Sequence, residues 1–403
     1  MSPESYSEQL YQSARDSKDL PIPGELAQQH SENLIELIKA EIEKNEGAIS
    51  FQRYMELVLY APGLGYYTAG SSKLGEEGDF VTAPEISPLF SQSLANSILP
   101  VIEADQIILE VGAGRGRMAA DILVFLKQKN KLPKEYWILE LSADLRQRQK
   151  QTVKETVPDL IGRVKWLDEL PDKFSGVVIA NELLDAMPVQ LFQKNNNKIN
   201  EVDVAWKDGK FTYKLKSTDD ANLIKRVNNI ESESGFSFEN GYVSEINFIA
   251  EEWIKSIAEK LQYGMIILID YGFPRHEYYH AQRKQGTLMC HYRHRAHADP
   301  FVYPGLQDIT AHVDFTAMAD AALAANLKVT GYTNQMSFLM GAGLMELAEL
   351  NNNDVKQQMD VAAQVKKLTL PHEMGELFKV IGFSKNCDVS LPAFEFRDMR
   401  DSL

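Results

Sequence analysis

The stretch QIILEVGAGRGRM at residues 106–118 decides the fold, because a run typical of a buried strand ends in glycines and continues into a helical pattern. Gly112, Gly114 and Gly116 follow the strand at alternate positions, where missing side chains let a ligand approach the backbone closely. In α/β enzymes a nucleotide-like cofactor binds at such a strand-to-helix turn. The alternative is a tight connection that holds some other ligand.

The spacing of the glycines separates two kinds of cofactor. A dinucleotide-binding turn requires Gly-x-Gly-x-x-Gly, and its third glycine would fall on Arg117. The turn instead resembles the first motif of class I S-adenosylmethionine-dependent methyltransferases, in which an acidic residue precedes the glycines. That resemblance implies that Gly112, Gly114 and Gly116 bind the cofactor and that Glu110 lies near its sulfonium and ammonium charges.

A second acidic residue ends the next predicted strand. Residues 136–140 form a short apolar run that ends in Glu140, about two dozen residues after the glycines. At this place an acid accepts hydrogen bonds from both hydroxyls of a cofactor ribose, and we favour this function for Glu140. The alternative is an ordinary acid at a helix N-terminus, since a helix is predicted to begin at residues 142–144.

Strand and helix patterns alternate from residue 106 onward, which predicts an α/β fold with a Rossmann-like, doubly wound sheet of the class I methyltransferase type. Two helices are expected over residues 338–369. Short runs of alternating apolar and polar residues between about 189 and 242 predict an inserted antiparallel β segment. The expected organisation is a polar N-terminal arm at 1–28, a helical region with a cofactor-covering loop at 29–100, and a main domain at 101–403 with insertions at about 189–242, 272–313 and 336–370.

Composition limits the classes of function. The 403 residues contain 44% hydrophobic residues, enough for a substantial core, and carry a formal net charge of −15. That charge argues against nucleic-acid binding and fits a small neutral or cationic substrate group or a basic protein partner. The chain has only two cysteines and an acidic N-terminal segment, which predict a cytoplasmic location. It lacks an apolar run long enough to cross a bilayer, so no membrane insertion is expected. A homodimer is compatible with these features.

The motif most suggestive of a reaction is ANELLDAMPV, which follows a strand predicted at residues 175–181. Asn181 and Glu182 come to the carboxyl end of this strand, where the active crevice of an open α/β sheet lies. An amide and a carboxylate there can orient a nitrogen nucleophile, and a carboxylate can bind a guanidinium through two hydrogen bonds. Alternatively, Asn181 caps a helical turn and Asp185 neutralises its N-terminus; a function of Asp185 in substrate binding is equally favoured.

Two segments rich in turn residues precede the glycine turn. GDFVTAPEISPLF at residues 78–90 contains Thr82, Pro84 and Glu85 and could close over a cofactor as a rigid loop. The alternative is a structured linker before a helix. LYAPGLGYY contains Tyr66, which is a candidate wall of the substrate pocket or, equally, an aromatic residue of the core.

The tract CHYRHRAHADP at residues 290–300 contains Cys290, His294 and His297, which are residue types that bind zinc. A metal site needs a closed ligand set with supporting hydrogen bonds, so we expect no metal here. We interpret the tract as part of the substrate-binding surface, with His294 and, further along, His312 as substrate residues. For His312 a hydrogen-bonded helix start is the alternative.

The order of six segments makes a more specific resemblance. The chain resembles the MidA family over roughly residues 45–385, through GDFVTAPEISPLF, LEVGAGRGRM, ANELLDAMPV, GTLMCHYRHRAHADP, GLQDITAHVDF and LPHEMGELFKVIGF. This implies a class I methyltransferase that uses S-adenosylmethionine, with Thr82, Pro84 and Glu85 in the family's loop before the first strand. A mitochondrial member of the family symmetrically dimethylates an arginine on a protein. For this chain, the resemblance therefore implies a protein substrate bearing arginine, such as a subunit of a respiratory complex.

An arginine acceptor would need carboxylates around it, because its guanidinium is protonated and has no free lone pair. Glu182, together with Glu85, is expected to bind two nitrogens and to align the third with the methyl group for in-line transfer. Two alternatives remain open. One is a methyltransferase that acts on a small molecule, and the other is a non-catalytic assembly factor that binds S-adenosylmethionine.

Overall fold

The computed structural model describes residues 20–69, 82–196, 198–350 and 355–403. Most of the expected N-terminal arm and residues 78–81 of the expected loop lie outside the described residues. The described residues form two compact units, so the expected domain boundaries stay predictions. The first unit is formed by the described residues of the ranges Met1–Phe80, Asp185–Ala250 and Phe273–Asp314. The second is formed by those of the ranges Val81–Leu184, Glu251–Gly272 and Phe315–Leu403.

The secondary structure alternates along the chain as expected for an α/β protein. The described α-helices are α1 Glu25–Lys44, α2 Phe51–Tyr60, α3 Ala83–Ile86, α4 Pro88–Ile98, α5 Arg117–Gln128, α6 Ala143–Thr156, α7 Ala221–Ser234, α8 Phe248–Lys260, α9 Arg275–Tyr278, α10 Phe315–Ala324, α11 Gln335–Gly341, α12 Leu344–Leu350 and α13 Val355–Thr369. The described strands are β1 Ile49–Ser50, β2 Ile107–Val111, β3 Glu135–Leu139, β4 Val164–Leu167, β5 Phe174–Asn181, β6 Gln190–Asn195, β7 Lys198–Lys207, β8 Lys210–Ser217, β9 Val243–Ile246, β10 Leu261–Phe273, β11 Met289–Tyr292, β12 Arg295–His297, β13 Asp308–Thr310, β14 Val313–Asp314, β15 Lys328–Asn334 and β16 Phe378–Lys385.

The second unit is built on a mixed sheet with the strand order β15-β16-β10-β5-β2-β3-β4. Strands β10, β5, β2, β3 and β4 run parallel, whereas β16 runs antiparallel to both β10 and β15. All five residues of β2 are buried, which is typical of a central parallel strand. The strand order changes direction between β2 and β5, and ligands of doubly wound sheets bind at such a switch point. The predicted doubly wound α/β fold is confirmed.

The parallel register aligns the carboxyl ends of β3, β2 and β5, and β10 passes the same level before it ends at Phe273. Val111 of β2 lies opposite Leu139 of β3 and Ala180 of β5. Ala180 in turn lies opposite Leu268 of β10. The residues that directly follow these four positions therefore lie at the same level of the sheet. They are Glu140, Gly112, Asn181 and Ile269.

The first unit contains two antiparallel sheets, with the orders β1-β7-β6-β9 and β12-β11-β13, and β8 pairs with β7. The β7–β8 hairpin turns at Asp208 and Gly209, both with positive φ, and confirms the predicted antiparallel segment. The β11–β12 hairpin turns at Arg293 and His294, which also have positive φ.

One prediction about the second unit was wrong. Instead of two helices over residues 338–369, the structure has α11, α12 and α13. Gly343 adopts a φ of 83° after α11, and this left-handed conformation ends the helix. None of the described helices combines the length and the apolar character that crossing a membrane requires.

Gly176 of β5 shows how closely the central strands approach each other. A Cβ atom there would lie 1.9 Å from the carbonyl oxygen of Ile107 on β2, and the φ of Gly176 is 145°. We therefore expect Gly176→Ala to lower the free energy of unfolding by about 3 kcal/mol, measured by chemical denaturation. At Gly162 a Cβ atom would meet nothing within 4 Å, so Gly162→Ala should change the free energy of unfolding by less than about 1 kcal/mol. Equal losses in the two variants would contradict this account.

Candidate active site

The glycine turn connects β2 to α5. Gly112, Gly114 and Gly116 have φ values of 71°, 50° and 81°, which glycine adopts without a steric penalty. A Cβ atom on Gly116 would lie 2.9 Å from the Cα atom of Gln149, so the turn packs closely on that side. A Cβ atom on Gly114 would meet nothing within 4 Å. The backbone at Gly114 is therefore open to an approaching ligand.

Gln149 holds this turn against the neighbouring strand. Its Nε2 atom donates to the carbonyl oxygen of Gly114 at 2.9 Å and to Oε2 of Glu140 at 3.0 Å, while Oε1 accepts from Nε1 of Trp166 at 2.9 Å. One buried amide thus fixes the glycine turn relative to the predicted ribose acid. The sequence analysis missed Gln149. A signal existed, because Gln149 occupies a buried position of the otherwise polar helix α6, four residues before Val153.

Glu140 lies directly after β3 and is buried. Its Oε1 atom accepts from the backbone N–H of Ser142 at 2.9 Å, and Oε2 accepts from Gln149. Burial raises the pKa of Glu140, and these hydrogen bonds oppose the rise. Ser142 is the residue that caps α6, since its hydroxyl accepts from the N–H of Leu145 at 3.4 Å. A carboxylate can accept further hydrogen bonds, so Glu140 stays suited to hydroxyl donors.

Glu110 lies on β2 and is fully buried. Its Oε2 atom accepts a 2.6 Å hydrogen bond from the hydroxyl of Tyr136. Burial raises the pKa of Glu110 to about 7 against the effect of this hydrogen bond, and the charge of Glu140 adds to the rise. Proximity of Glu110 to the cofactor's positive charges stays a prediction.

Asn181 and Glu182 form a polar pair at the end of β5. Nδ2 of Asn181 donates to Oε1 of Glu182 at 2.9 Å, and Oδ1 of Asn181 is buried without a hydrogen-bond partner among the described residues. Glu182 has a φ of 53°, which costs free energy for a residue other than glycine. Its N–H donates to the carbonyl oxygen of Ile269 at 2.9 Å. A strained backbone beside an unsatisfied buried acceptor is typical of a functional site.

The alternative that Asn181 caps a helix is wrong, because residues 182–189 contain no helix. Asp270 accepts the N–H groups of this turn instead, from Leu183 at 3.2 Å and from Leu184 at 2.9 Å. The sequence analysis missed Asp270. It is a carboxylate at the end of a long apolar run, which is the same pattern that identified Glu140.

The segment after residue 81 is ordered as two consecutive helices. Thr82 precedes α3 without a side-chain capping bond, Pro84 is buried and Glu85 is exposed. Ser87 caps α4 by accepting from the N–H of Leu89 at 3.2 Å, so a structured connection precedes this helix. Burial raises the pKa of Asp121 on α5, and the charge of Glu85 contributes to the rise. Glu85 therefore lies near Asp121, on the helix that follows the glycine turn.

Two predicted substrate residues lie among buried groups of the first unit. Tyr66 packs edge-to-face on Tyr67 with ring centroids 5.0 Å apart, and the Tyr67 hydroxyl donates to the carboxylate of Asp308 at 3.0 Å. Asp185 is buried, and its carbonyl oxygen accepts from the N–H of Ala311 at 2.9 Å. Tyr66 thus has the packing that the core interpretation expected.

The predicted histidines lie in the first unit as well. His294 is exposed at the β11–β12 turn with a φ of 60°, and His312 stacks on Phe273 at 5.3 Å. Cys290 lies opposite His297 across the hairpin. Burial raises the pKa of the Cys290 thiol far above the usual range. Among the described residues, no group of three or more histidine, cysteine or acidic side chains is placed to hold a metal ion.

Comparison with known proteins identifies the family. A model for S-adenosyl-L-methionine-dependent methyltransferases matches residues 93–333. The chain belongs to this methyltransferase family. A crystal structure from Burkholderia thailandensis with bound S-adenosyl-homocysteine is similar at a TM-score of 0.89 and 44% identity, covering 96% of this chain and 100% of that one. A second structure from the same organism gives 0.88 and 45%, with the same coverage.

Curated relatives of this methyltransferase are more distant but extend along most of the chain. The "Protein arginine methyltransferase NDUFAF7 homolog, mitochondrial" of Drosophila melanogaster is 28% identical over 402 residues, covering 90% of this chain and 87% of that protein. The "Protein arginine methyltransferase NDUFAF7, mitochondrial" of Mus musculus is 29% identical, covering 83% and 80%. The predicted use of S-adenosylmethionine is confirmed at the level of the family.

The residues at the sheet edge fit this cofactor. The backbone at Gly114 is open, Glu140 is a strand-end acid, and Leu141 beside it is 73% exposed although apolar. An exposed apolar surface next to the predicted ribose acid suits one face of a nucleobase. When bound, S-adenosylmethionine supplies a methyl group on a sulfonium cation.

The pKa of Glu110 makes its predicted function testable. A nearby cation favours the carboxylate form, and a pKa of about 7 means that this form grows as the pH rises through neutrality. S-adenosylmethionine should therefore bind about tenfold more tightly at about pH 8 than at about pH 6, measured by calorimetry. Glu110→Gln should remove this pH dependence. Burial also raises the pKa of Asp203 in the first unit, to about 6, so Asp203→Asn is the control and should keep the dependence. An unchanged profile in Glu110→Gln would refute the proximity of Glu110 to the cofactor.

Proposed function

We propose that this methyltransferase transfers the methyl group to an arginine nitrogen of a protein. The observation that carries the proposal is the pair of adjacent acceptors at the end of β5, Oδ1 of Asn181 and the carboxylate of Glu182. A guanidinium has only N–H donors and no acceptor, so it complements this pair. The names of the curated relatives support the same substrate class.

Each acceptor has a separate function in this proposal. Glu182 binds two guanidinium nitrogens, which localises the positive charge and fixes the plane of the group. Oδ1 of Asn181, which is buried without a partner among the described residues, accepts from the nitrogen that receives the methyl group. Together they align that nitrogen for in-line transfer, in which the N–C bond forms as the S–C bond of the sulfonium breaks, S-adenosyl-homocysteine leaves and the nitrogen loses one proton to water. Positioning supplies much of the acceleration. Glu85 is proposed as a second carboxylate for the substrate's charge.

A protein arginine is distinguished from a small molecule by the products. We expect that incubation with methyl-labelled S-adenosylmethionine and a lysate lacking this protein labels one or a few proteins, and that acid hydrolysis releases methylated arginine. A respiratory-complex subunit is the substrate that the resemblance predicts. Label confined to the small-molecule fraction would contradict the proposal. A cytoplasmic location and a homodimer stay predictions.

The acceptor pair is tested by Glu182→Gln. The change keeps the shape of the side chain but removes its charge, so turnover of the labelled protein should fall by at least about 100-fold. The dissociation constant of S-adenosylmethionine should change by less than about threefold, because Glu182 is assigned to the substrate.

The matched control is Glu135→Gln, which makes the same substitution at the amino end of β3, where Glu135 pairs with Lys165 at 2.6 Å. This variant should keep turnover within about twofold of the unaltered protein. Unchanged methylation in Glu182→Gln would exclude Glu182 from the mechanism.

A further inference from the structure

Asp270 is a buried carboxylate of β10, directly after the residue that lies opposite Asn181, with 1% of its surface exposed. Its Oδ2 atom accepts from the backbone N–H groups of Leu183 and Leu184, at 3.2 and 2.9 Å. Its Oδ1 atom accepts from the N–H of Tyr271 at 2.9 Å. The two oxygens therefore accept from different parts of the chain: Oδ1 accepts from the next residue of β10, and Oδ2 accepts from the segment that follows β5.

The turn that Asp270 binds is the one that presents the acceptor pair. Glu182 sits in the left-handed region at a φ of 53°, which turns successive backbone N–H groups toward one side. The N–H of Glu182 itself bonds to Ile269, the residue before Asp270. Three consecutive N–H groups, from residues 182 to 184, are therefore bound by two adjacent residues of β10. A conformation unfavourable for glutamate is thus held in place from the neighbouring strand.

We propose that Asp270 is a positioning residue, which holds the turn at residues 182–184 so that Asn181 and Glu182 direct their acceptor oxygens at the nitrogens of one substrate guanidinium. The inference rests on the function proposed for those two residues. Asp270 acts through the backbone of the turn and not on the substrate. Its removal should therefore affect the alignment of the acceptor more than the binding of the cofactor.

The kinetic test uses Asp270→Asn and Asp270→Ala. Asparagine keeps one acceptor oxygen and replaces the other by a donor, so it cannot bond both the turn and Tyr271 as aspartate does. We expect kcat to fall by about 10- to 100-fold in Asp270→Asn and further in Asp270→Ala. The dissociation constant of S-adenosylmethionine should stay within about threefold. A kcat within twofold of the unaltered protein, or equal losses of kcat and cofactor affinity, would overturn the proposal.

A double variant separates positioning from general damage. If Asp270 acts through Asn181 and Glu182, then the loss of kcat in Asp270→Asn combined with Glu182→Gln should be smaller than the product of the two single losses, whereas independent effects would multiply. Asn334→Ala is the control, because Asn334 is fully buried in the same sheet and caps α11 by accepting from Ser337 at 2.8 Å. Asn334→Ala should lose stability but keep kcat within about twofold. Multiplying losses in the double variant would overturn the proposal.

Hydrogen exchange tests the same inference without any substrate. The amides of Leu183 and Leu184 should exchange at least about tenfold faster in Asp270→Ala than in the unaltered protein, while peptides from α13 keep their rates. Faster exchange with no methylated arginine in the lysate would refute the proposed substrate and leave the function of Asp270 in the turn intact. Unchanged exchange at these two amides would overturn the positioning proposal whatever the substrate is.

Discussion

The shared register of the parallel strands β3, β2, β5 and β10 is the constraint on which the site depends. Because Val111 lies opposite both Leu139 and Ala180, the chain leaves β3, β2 and β5 at one edge of the sheet, level with Leu268 and Ile269 of β10. A shift of one residue in any pairing would turn its side chains to the other face. The positions of Glu140, the glycine turn and the Asn181–Glu182 pair at this edge are therefore consequences of strand alignment.

Side chains that join these strand ends give the edge its chemistry. Gln149 links the glycine turn to Glu140, and Asp270 links the end of β10 to the turn after β5. Both are buried and bond backbone groups, so they fix the geometry of the edge. The buried Oδ1 of Asn181 lies at this edge, where a donor-rich cation such as guanidinium would satisfy it.

The sequence predicted those parts of the fold and site that local patterns determine. An apolar run followed by glycines specifies both β2 and the turn, and a carboxylate after an apolar strand identified Glu140. The partners of these groups were not predictable in the same way. The hydrogen bond from Leu184 to Asp270 joins residues 86 positions apart, and the register that pairs them comes from packing of the whole sheet. The helix-capping alternative for Asn181 failed for this reason, since a distant carboxylate accepts the N–H groups of the turn.

A crystal structure of this protein with bound S-adenosyl-homocysteine tests the central claim most directly. The account predicts both ribose hydroxyls within about 3.2 Å of the carboxylate oxygens of Glu140. It also predicts the homocysteine backbone against Gly114 and the sulfur atom directed toward Oδ1 of Asn181. A ribose that makes no hydrogen bond to Glu140, or a sulfur atom directed away from Asn181, would contradict it.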